Sequence, residues 1–200
     1  MEIKKQKINT KVLVKVGILS AISFLLMIAE FPLWFAPGFL KMDLSEIPAL
    51  LGAFALGPVA GILIEFMKNV LFIAIRGSNS MMVGEIANFM VGSIFVYISG
   101  IVYVKNKSRK NAIIGMILGT IAMTVFMSIA NYYVMIPFYA KLYGMNLDSI
   151  VSMGTALNSN ITDFKSLIAY SIVPFNLFKG AVVTLITVLL YKRLSPILHK

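Results

Sequence analysis

Between Trp34 and Asn69 the chain reads WFAPGFLKMDLSEIPALLGAFALGPVAGILIEFMKN, so Lys41, Asp43, Glu46, Glu65 and Lys68 interrupt an apolar run. Further on, ANYYVMIPFY carries Asn131 beside Tyr132 and Tyr133, and VPFNLFKG places Asn176 and Lys179 on one helical face. A carboxamide offers donors and acceptors together, which suits an uncharged heterocycle whose edge alternates carbonyl and N–H groups. Asn131 does this, or else bonds between helices. A lysine deep in an apolar helix costs about 2.5 to 3.5 kcal/mol on insertion scales, so Lys179 calls for a ligand or a partner. Glu65, Lys68 and Asn69 fall at i, i+3 and i+4. They form either an internal ion pair that snorkels to the interface or a ligand-facing set.

Other chemistries lack their residues. There is no glycine-rich loop ending in Lys-Ser or Lys-Thr to cradle nucleotide phosphates. His199 is the single histidine, next to the last residue, and cysteine is absent. Ser-His, Cys-His and histidine–metal arrangements therefore have no set of residues to use. The acids show no paired spacing that favours an intramembrane carboxylate hydrolase.

The elements that must hold these groups are membrane helices. Of 200 residues, 59% are hydrophobic and 13% charged, and a bilayer core needs on the order of 20 apolar helical residues per crossing. The apolar runs permit about six crossings and a single membrane domain over residues 1–200, an all-α six-helix bundle. Eighteen basic residues against eight acidic ones do not indicate nucleic acid, because the cations cluster at membrane edges. Lys4, Lys5, Lys7, Lys11 and Lys15 precede the first apolar run; Lys105, Lys107, Arg109 and Lys110 divide the middle; Lys192, Arg193 and Lys200 close the chain. By the positive-inside rule both termini and the 104–111 loop are cytoplasmic. The N-terminal run imitates a signal peptide but IAEFPLWF lacks a small-x-small cleavage site, so a retained first helix is expected.

Span one is expected over Lys11–Glu30, ending at Phe31-Pro32. The external loop Pro32–Lys41 carries Trp34, Phe35 and Phe39, which serve as an interfacial belt or as the wall of a site. Asp43 lies three residues before Glu46, a spacing that lets Asp43 cap span two while Glu46 reaches back. Span two then runs to Leu56, Gly57-Pro58 breaks it, and span three covers Gly61–Ile75. Both are short, as around a cavity. Spans four, five and six are expected over Val83–Val104, Ala112–Tyr139, where Pro137 kinks the helix, and Leu167–Leu190. The segment GMNLDSIVSMGTALNSNITDFK between spans five and six exceeds ordinary loop lengths and is expected to be a partly helical external lid. Gly17 and Ala21 make a small-xxx-small pair, either an internal packing groove or a docking face.

The block FAPGFLKMDLSEIPALLGAFALGPVAGILIEFMKN, with ANYYVMIPFY and PFNLFKG, resembles the substrate-binding membrane subunit of energy-coupling factor (ECF) vitamin transporters, and within that group the riboflavin-specific members. The resemblance runs the whole length of the chain. It implies a six-helix bundle in a bacterial cell membrane that holds riboflavin near the external surface as transported ligand, with no cofactor. The loop between spans one and two caps the vitamin and spans four to six enclose it. It also implies a second membrane subunit and two cytoplasmic ATPases as partners, since the family performs no chemistry of its own. The family's helix-one docking motif falls here on Gly17 and Ala21.

A tricyclic ring with a polyhydroxyl tail needs an apolar, aromatic-lined pocket with a few placed polar groups. Asn131, Asn176 and Lys179 are assigned to it, with Leu40, Met42 and Asp43 closing the other side and Glu46 as a further candidate. Whether flavin mononucleotide or flavin analogues also enter stays open. The rivals are a membrane scaffold of the cell-shape machinery with a similar fold, and a small intramembrane hydrolase or transferase.

Overall fold

The computed structural model describes residues 10–198; Lys4, Lys5, Lys7, His199 and Lys200 lie outside the described residues. Helix α1 (Thr10–Ile28) leads through a two-strand hairpin, β1 (Phe31–Pro32) antiparallel to β2 (Lys41–Met42), into α2 (Glu46–Leu56). Next come α3 (Pro58–Arg76), α4 (Val83–Lys105) and α5 (Arg109–Ala130). A π-helical turn, Asn131–Met135, carries α5 into α6 (Ile136–Tyr143). After α7 (Leu147–Thr155) and α8 (Phe164–Leu167), a second π-helical turn, Ile168–Ile172, opens α9 (Val173–Leu198). The described residues are thus nearly all-helical, with the small hairpin as the exception among them.

Among the described residues, five stretches are long and apolar enough to cross a membrane: Thr10–Ile28, Pro58–Arg76, Val83–Lys105, Arg109–Tyr143 and Phe164–Tyr191. This corrects the expectation of a short third helix, since α3 has 19 residues. Gly57 alone carries the turn, at φ 100°, and Pro58 occupies the first helical turn, where its missing N–H costs nothing. Helix α2 is short, as expected. Its 11 residues span about 16 Å, and every one except Ala55 is buried among α1, α3, α4 and α9. It is the axis of the bundle rather than one of its lipid-facing staves.

Around that axis Leu50, Ala53, Phe54, Ile64, Phe95, Val96, Met116, Met123 and Val183 form the main core. At the end that carries the Lys105–Arg109 loop, the hydroxyls of Tyr103 and Tyr191 meet at 2.6 Å beside the Phe54 ring. At the opposite end a second cluster joins Ile136, Ile150, Ile161, Leu167 and Ile172 to Phe39, Leu40 and Tyr132. The long outer segment therefore packs onto both π-helical turns. Its helices have local starts: Asn146 Oδ1 accepts from Ser149 N at 2.8 Å, and Asp163 forms a capping box with Ser166. The backbone and hydroxyl hydrogen bonds from Ser166 hold the Asp163 carboxyl below its ordinary range.

The proposed Asp43–Glu46 cap is also corrected. Ser45 occupies the position before α2 and makes no side-chain cap bond, while Asp43 Oδ1 accepts from Ser45 N at 2.8 Å. Glu46 turns inward instead of reaching back, because two buried ammonium groups lie within its range.

Close packing of α2 on α3 depends on Gly61, where an added Cβ would lie 2.8 Å from Ala53 Cβ and 3.2 Å from the Ala49 carbonyl. Gly61→Val is expected to destabilise the fold by about 1–3 kcal/mol by overpacking. A lowered thermal midpoint in detergent checks this.

Candidate functional site

Beneath the end of the bundle that carries the hairpin lies a buried charge network. Lys179 Nζ, on α9, sits 3.1 Å from Asp43 Oδ2 and 2.8 Å from Glu46 Oε1. Lys68 Nζ, on α3, sits 2.6 Å from Glu65 Oε2 and 3.6 Å from Glu46, and donates to Ser45 Oγ at 2.5 Å. Asn88, on α4, donates to Asp43 Oδ2 at 3.1 Å, and Ser23, on α1, donates to the Ser45 carbonyl at 3.0 Å. Asn69 donates to the Glu65 carbonyl at 2.9 Å. Glu65 and Lys68 are fully buried, so this pair belongs to the core and does not snorkel to the interface.

Gly92 makes room for the pair: an added Cβ there would collide with the Glu65 carboxylate. Breaking a buried pair from one side costs much more than the pair contributes, because an uncompensated charge stays behind.

Above the network is a cavity of about 160 Å³. Asn131, Phe175, Asn176 and Lys179 line it from α9 and the first π-helical turn, and Phe39, Leu40 and Lys41 from the hairpin. Asn131 Nδ2 donates to the Met127 carbonyl and Asn176 Nδ2 to the Ile172 carbonyl, each at 2.8 Å. Both amides are thereby oriented, leaving oxygen acceptors to offer. Lys179 presents an ammonium already committed to two carboxylates below.

The third wall comes from the 77–82 loop and the start of α4: Asn79, Ser80, Glu85 and Asn88. Met81 and Met82 hold positive φ angles of 50° and 71°, which cost energy for side chains of this size. Ser78 Oγ stabilises the turn by accepting from Met82 N at 2.7 Å, and Ser80 Oγ by accepting from Gly84 N at 2.9 Å. Glu85, in the first turn of α4, benefits from the helix dipole.

Of the residues singled out from the sequence, Leu40, Asn131, Asn176 and Lys179 line one cavity. Met42, Asp43 and Glu46 do not line it. Met42 is buried with Leu33, Ala36 and Phe175 beneath the hairpin, and the two acids hold Lys179 from below. Gly17 and Ala21 lie on the exposed face of α1, and a Cβ at Gly17 would meet no atom within 4 Å. That removes the internal packing groove as their reason. The loop aromatics divide: Trp34 is 79% exposed, as in an interfacial belt, whereas Phe39 turns to the cavity. Asn79, Ser80, Glu85 and Asn88 were missed by sequence reasoning. The one signal that pointed toward them was an acid in the first turn of an apolar helix after a polar loop, RGSNSMMVGE.

A mostly apolar cavity with a few placed polar groups, at one end of a membrane helix bundle, has the make-up of a binding site for a small molecule. The model of the ECF transporter substrate-specific component matches residues 11–191, and the chain belongs to that family. Two curated relatives are a riboflavin transporter RibU of Staphylococcus aureus and a riboflavin transporter FmnP of Bacillus subtilis. The first is 37% identical, over 98% of both chains, and the second 38%, over 94% of both. A solved structure described as the S component of a bacterial ECF transporter aligns with a TM-score of 0.74 and 35% identity, over 95% of this chain and 98% of that one. The chain is therefore a multi-pass membrane transporter subunit and not an enzyme.

Lys68→Met is expected to destabilise the protein by about 3–5 kcal/mol, since Glu65 and Glu46 would lose a buried counter-charge. Adding Glu65→Gln should recover part of that loss, as a double-mutant cycle on thermal or denaturant unfolding reads directly.

Proposed function

We propose that the chain captures riboflavin at the external face of a bacterial cell membrane and delivers it inward as part of an ECF transporter. The observation that carries this is the convergence of Asn131, Asn176 and Lys179 on one cavity, in a chain 37–38% identical to two curated riboflavin transporters. In this reading Asn131 and Lys179 meet the edge of the flavin ring or its ribityl hydroxyls, and Asn176 adds a third polar contact. Phe39 and Leu40 supply apolar wall, with Met42 packed behind them. Asp43 and Glu46 act through Lys179, fixing its ammonium at the floor. Riboflavin is cargo, and no cofactor is involved.

The cavity is smaller than the roughly 300–1,000 Å³ of sites for molecules of this size. Entry of a tricyclic ring thus requires the walls to part. The hairpin loop and the outer segment around α7 are the natural lid, since both pack around Phe39 and Leu40 and neither is a lipid-facing span.

Uptake rests on an energy-coupling module: a membrane coupling subunit and two cytoplasmic ATPases, with no nucleic acid involved. The exposed small-residue face at Gly17 and Ala21 suits close docking of a partner helix. The charge clusters support cytoplasmic termini, with residues 1–200 forming one domain in the lipid bilayer and the cavity on the external side. A cell-shape scaffold has no use for this convergence of polar groups, and an intramembrane enzyme would need reactive residues there.

Protein purified in detergent should carry a yellow flavin or, once stripped, quench riboflavin fluorescence on titration. A colourless protein that leaves the fluorescence unchanged refutes the assignment. Asn131→Ala should weaken riboflavin binding by more than about 1 kcal/mol, because ligand polar atoms would lose a buried partner.

A further inference from the structure

Of the two cavity-lining carboxylates that the function above leaves unused, Glu30 and Glu85, only Glu85 lacks a counter-charge among the described residues. It is 6% exposed. Its Oε2 accepts from Ser78 Oγ at 2.9 Å and from Ser80 Oγ at 2.7 Å. Among the described residues it has no ion-pair partner, and its Oε1 receives no hydrogen bond. The other charged groups lining the cavity are already matched. Glu30, past the end of α1, pairs with Lys41 of β2 at 2.5 Å, and Lys179 of α9 is held by Asp43 and Glu46. Every ammonium on the cavity walls thus has its charge balanced by a carboxylate, while Glu85 has no counter-charge and keeps an oxygen to offer.

We infer that Glu85, braced by Ser78 and Ser80, is a specificity residue that accepts a hydroxyl of the ligand's polyol tail and repels a phosphate ester of that tail. This rests on the riboflavin reading. A buried carboxylate acceptor is well matched to an O–H donor. A phosphomonoester has no O–H to give in its dianionic form and carries about −1.5 to −2 charge at neutral pH. With no cation on the walls whose charge is unbalanced by a carboxylate, that added charge meets Glu85 at low local dielectric. Rejection by a like charge is a standard way of setting specificity between near-identical ligands. Ser78 and Ser80 belong to the loop before α4, Met81 and Met82 lead from it in left-handed conformation into the first turn that carries Glu85, and Ser80 and Glu85 line the cavity.

The test measures dissociation constants of riboflavin, flavin mononucleotide and a neutral 5′-acetyl ester of riboflavin for the full chain in detergent. Wild type should bind the phosphate ester more weakly than riboflavin. Glu85→Gln should narrow that ratio by roughly tenfold or more, with a much smaller change in the ratio for the acetyl ester. Glu85→Asp, which keeps the charge, should keep the discrimination. If Glu85→Gln fails to fold, wild type alone decides. Its phosphate-to-riboflavin ratio should narrow as pH falls from about 7.5 to about 5.5 and the phosphate loses its second charge. A ratio unchanged in Glu85→Gln, or unchanged with pH in wild type, overturns the inference. So does an equal gain for phosphate and acetyl esters, which would make Glu85 a steric wall. Wild type that binds no riboflavin at all refutes the proposed function instead.

Discussion

Lys179 reaches Asp43 across 136 residues of chain and Glu46 beside it, and this buried ion triad connects the last helix to the hairpin and to the axial helix α2. An ammonium without partners in an apolar bundle is costly, and so are two carboxylates. Each therefore constrains where the other's backbone can sit. The loop between α1 and α2 cannot drift from α9 without stranding charge, and Lys179 cannot turn toward lipid. The second pair, Glu65 with Lys68, extends the same constraint to α3, and Asn88 extends it to α4.

That network explains why the cavity sits where it does. Charges satisfied from below form a rigid polar floor, and helices that must meet above it leave space. Two π-helical turns, at Asn131–Met135 and Ile168–Ile172, widen α5 and α9 beside that space. Wide turns of this kind occur often at functional sites. They lie next to each other and under the outer helices, so one region combines irregular backbone, oriented carboxamides and aromatic wall. The opposite end of the bundle, closed by Tyr103, Tyr191 and Phe54, is packed in the ordinary way.

The charge distribution around the cavity is equally uneven. Each ammonium on its walls already faces a carboxylate, while Glu85 has no ion-pair partner among the described residues, a balance that suits neutral ligands rich in hydroxyl and amide groups. This is the chemistry of a water-soluble vitamin rather than of a nucleotide. Binding and energy are separate, because the driving force for uptake belongs to the coupling module that the family implies.

Much of this was legible from residue types. Composition and apolar run length determined a polytopic membrane protein, because hydrocarbon tolerates only long apolar helices, and the cost of intramembrane lysine singled out Lys179 before any geometry. The motifs around Asn131 and Asn176 likewise pointed to one site. Pairing was not legible: Asp43 and Glu46 read as a local cap, yet their partner lies on α9, since a long-range ion pair outweighs a capping bond worth about 1 kcal/mol. The length of α3 was misjudged because Pro58 opens a helix as readily as it ends one. Glu85, Ser78 and Ser80 escaped notice because a polar loop and a first-turn acid have an ordinary local explanation. The sequence by itself determined a multi-pass helical membrane protein and named the charged and amide groups that its apolar helices would have to accommodate. Only the tertiary structure decided which charge met which, and hence which face of the cavity was left with an acceptor to spare, because electrostatic partnership depends on distance in space and not on spacing along the chain.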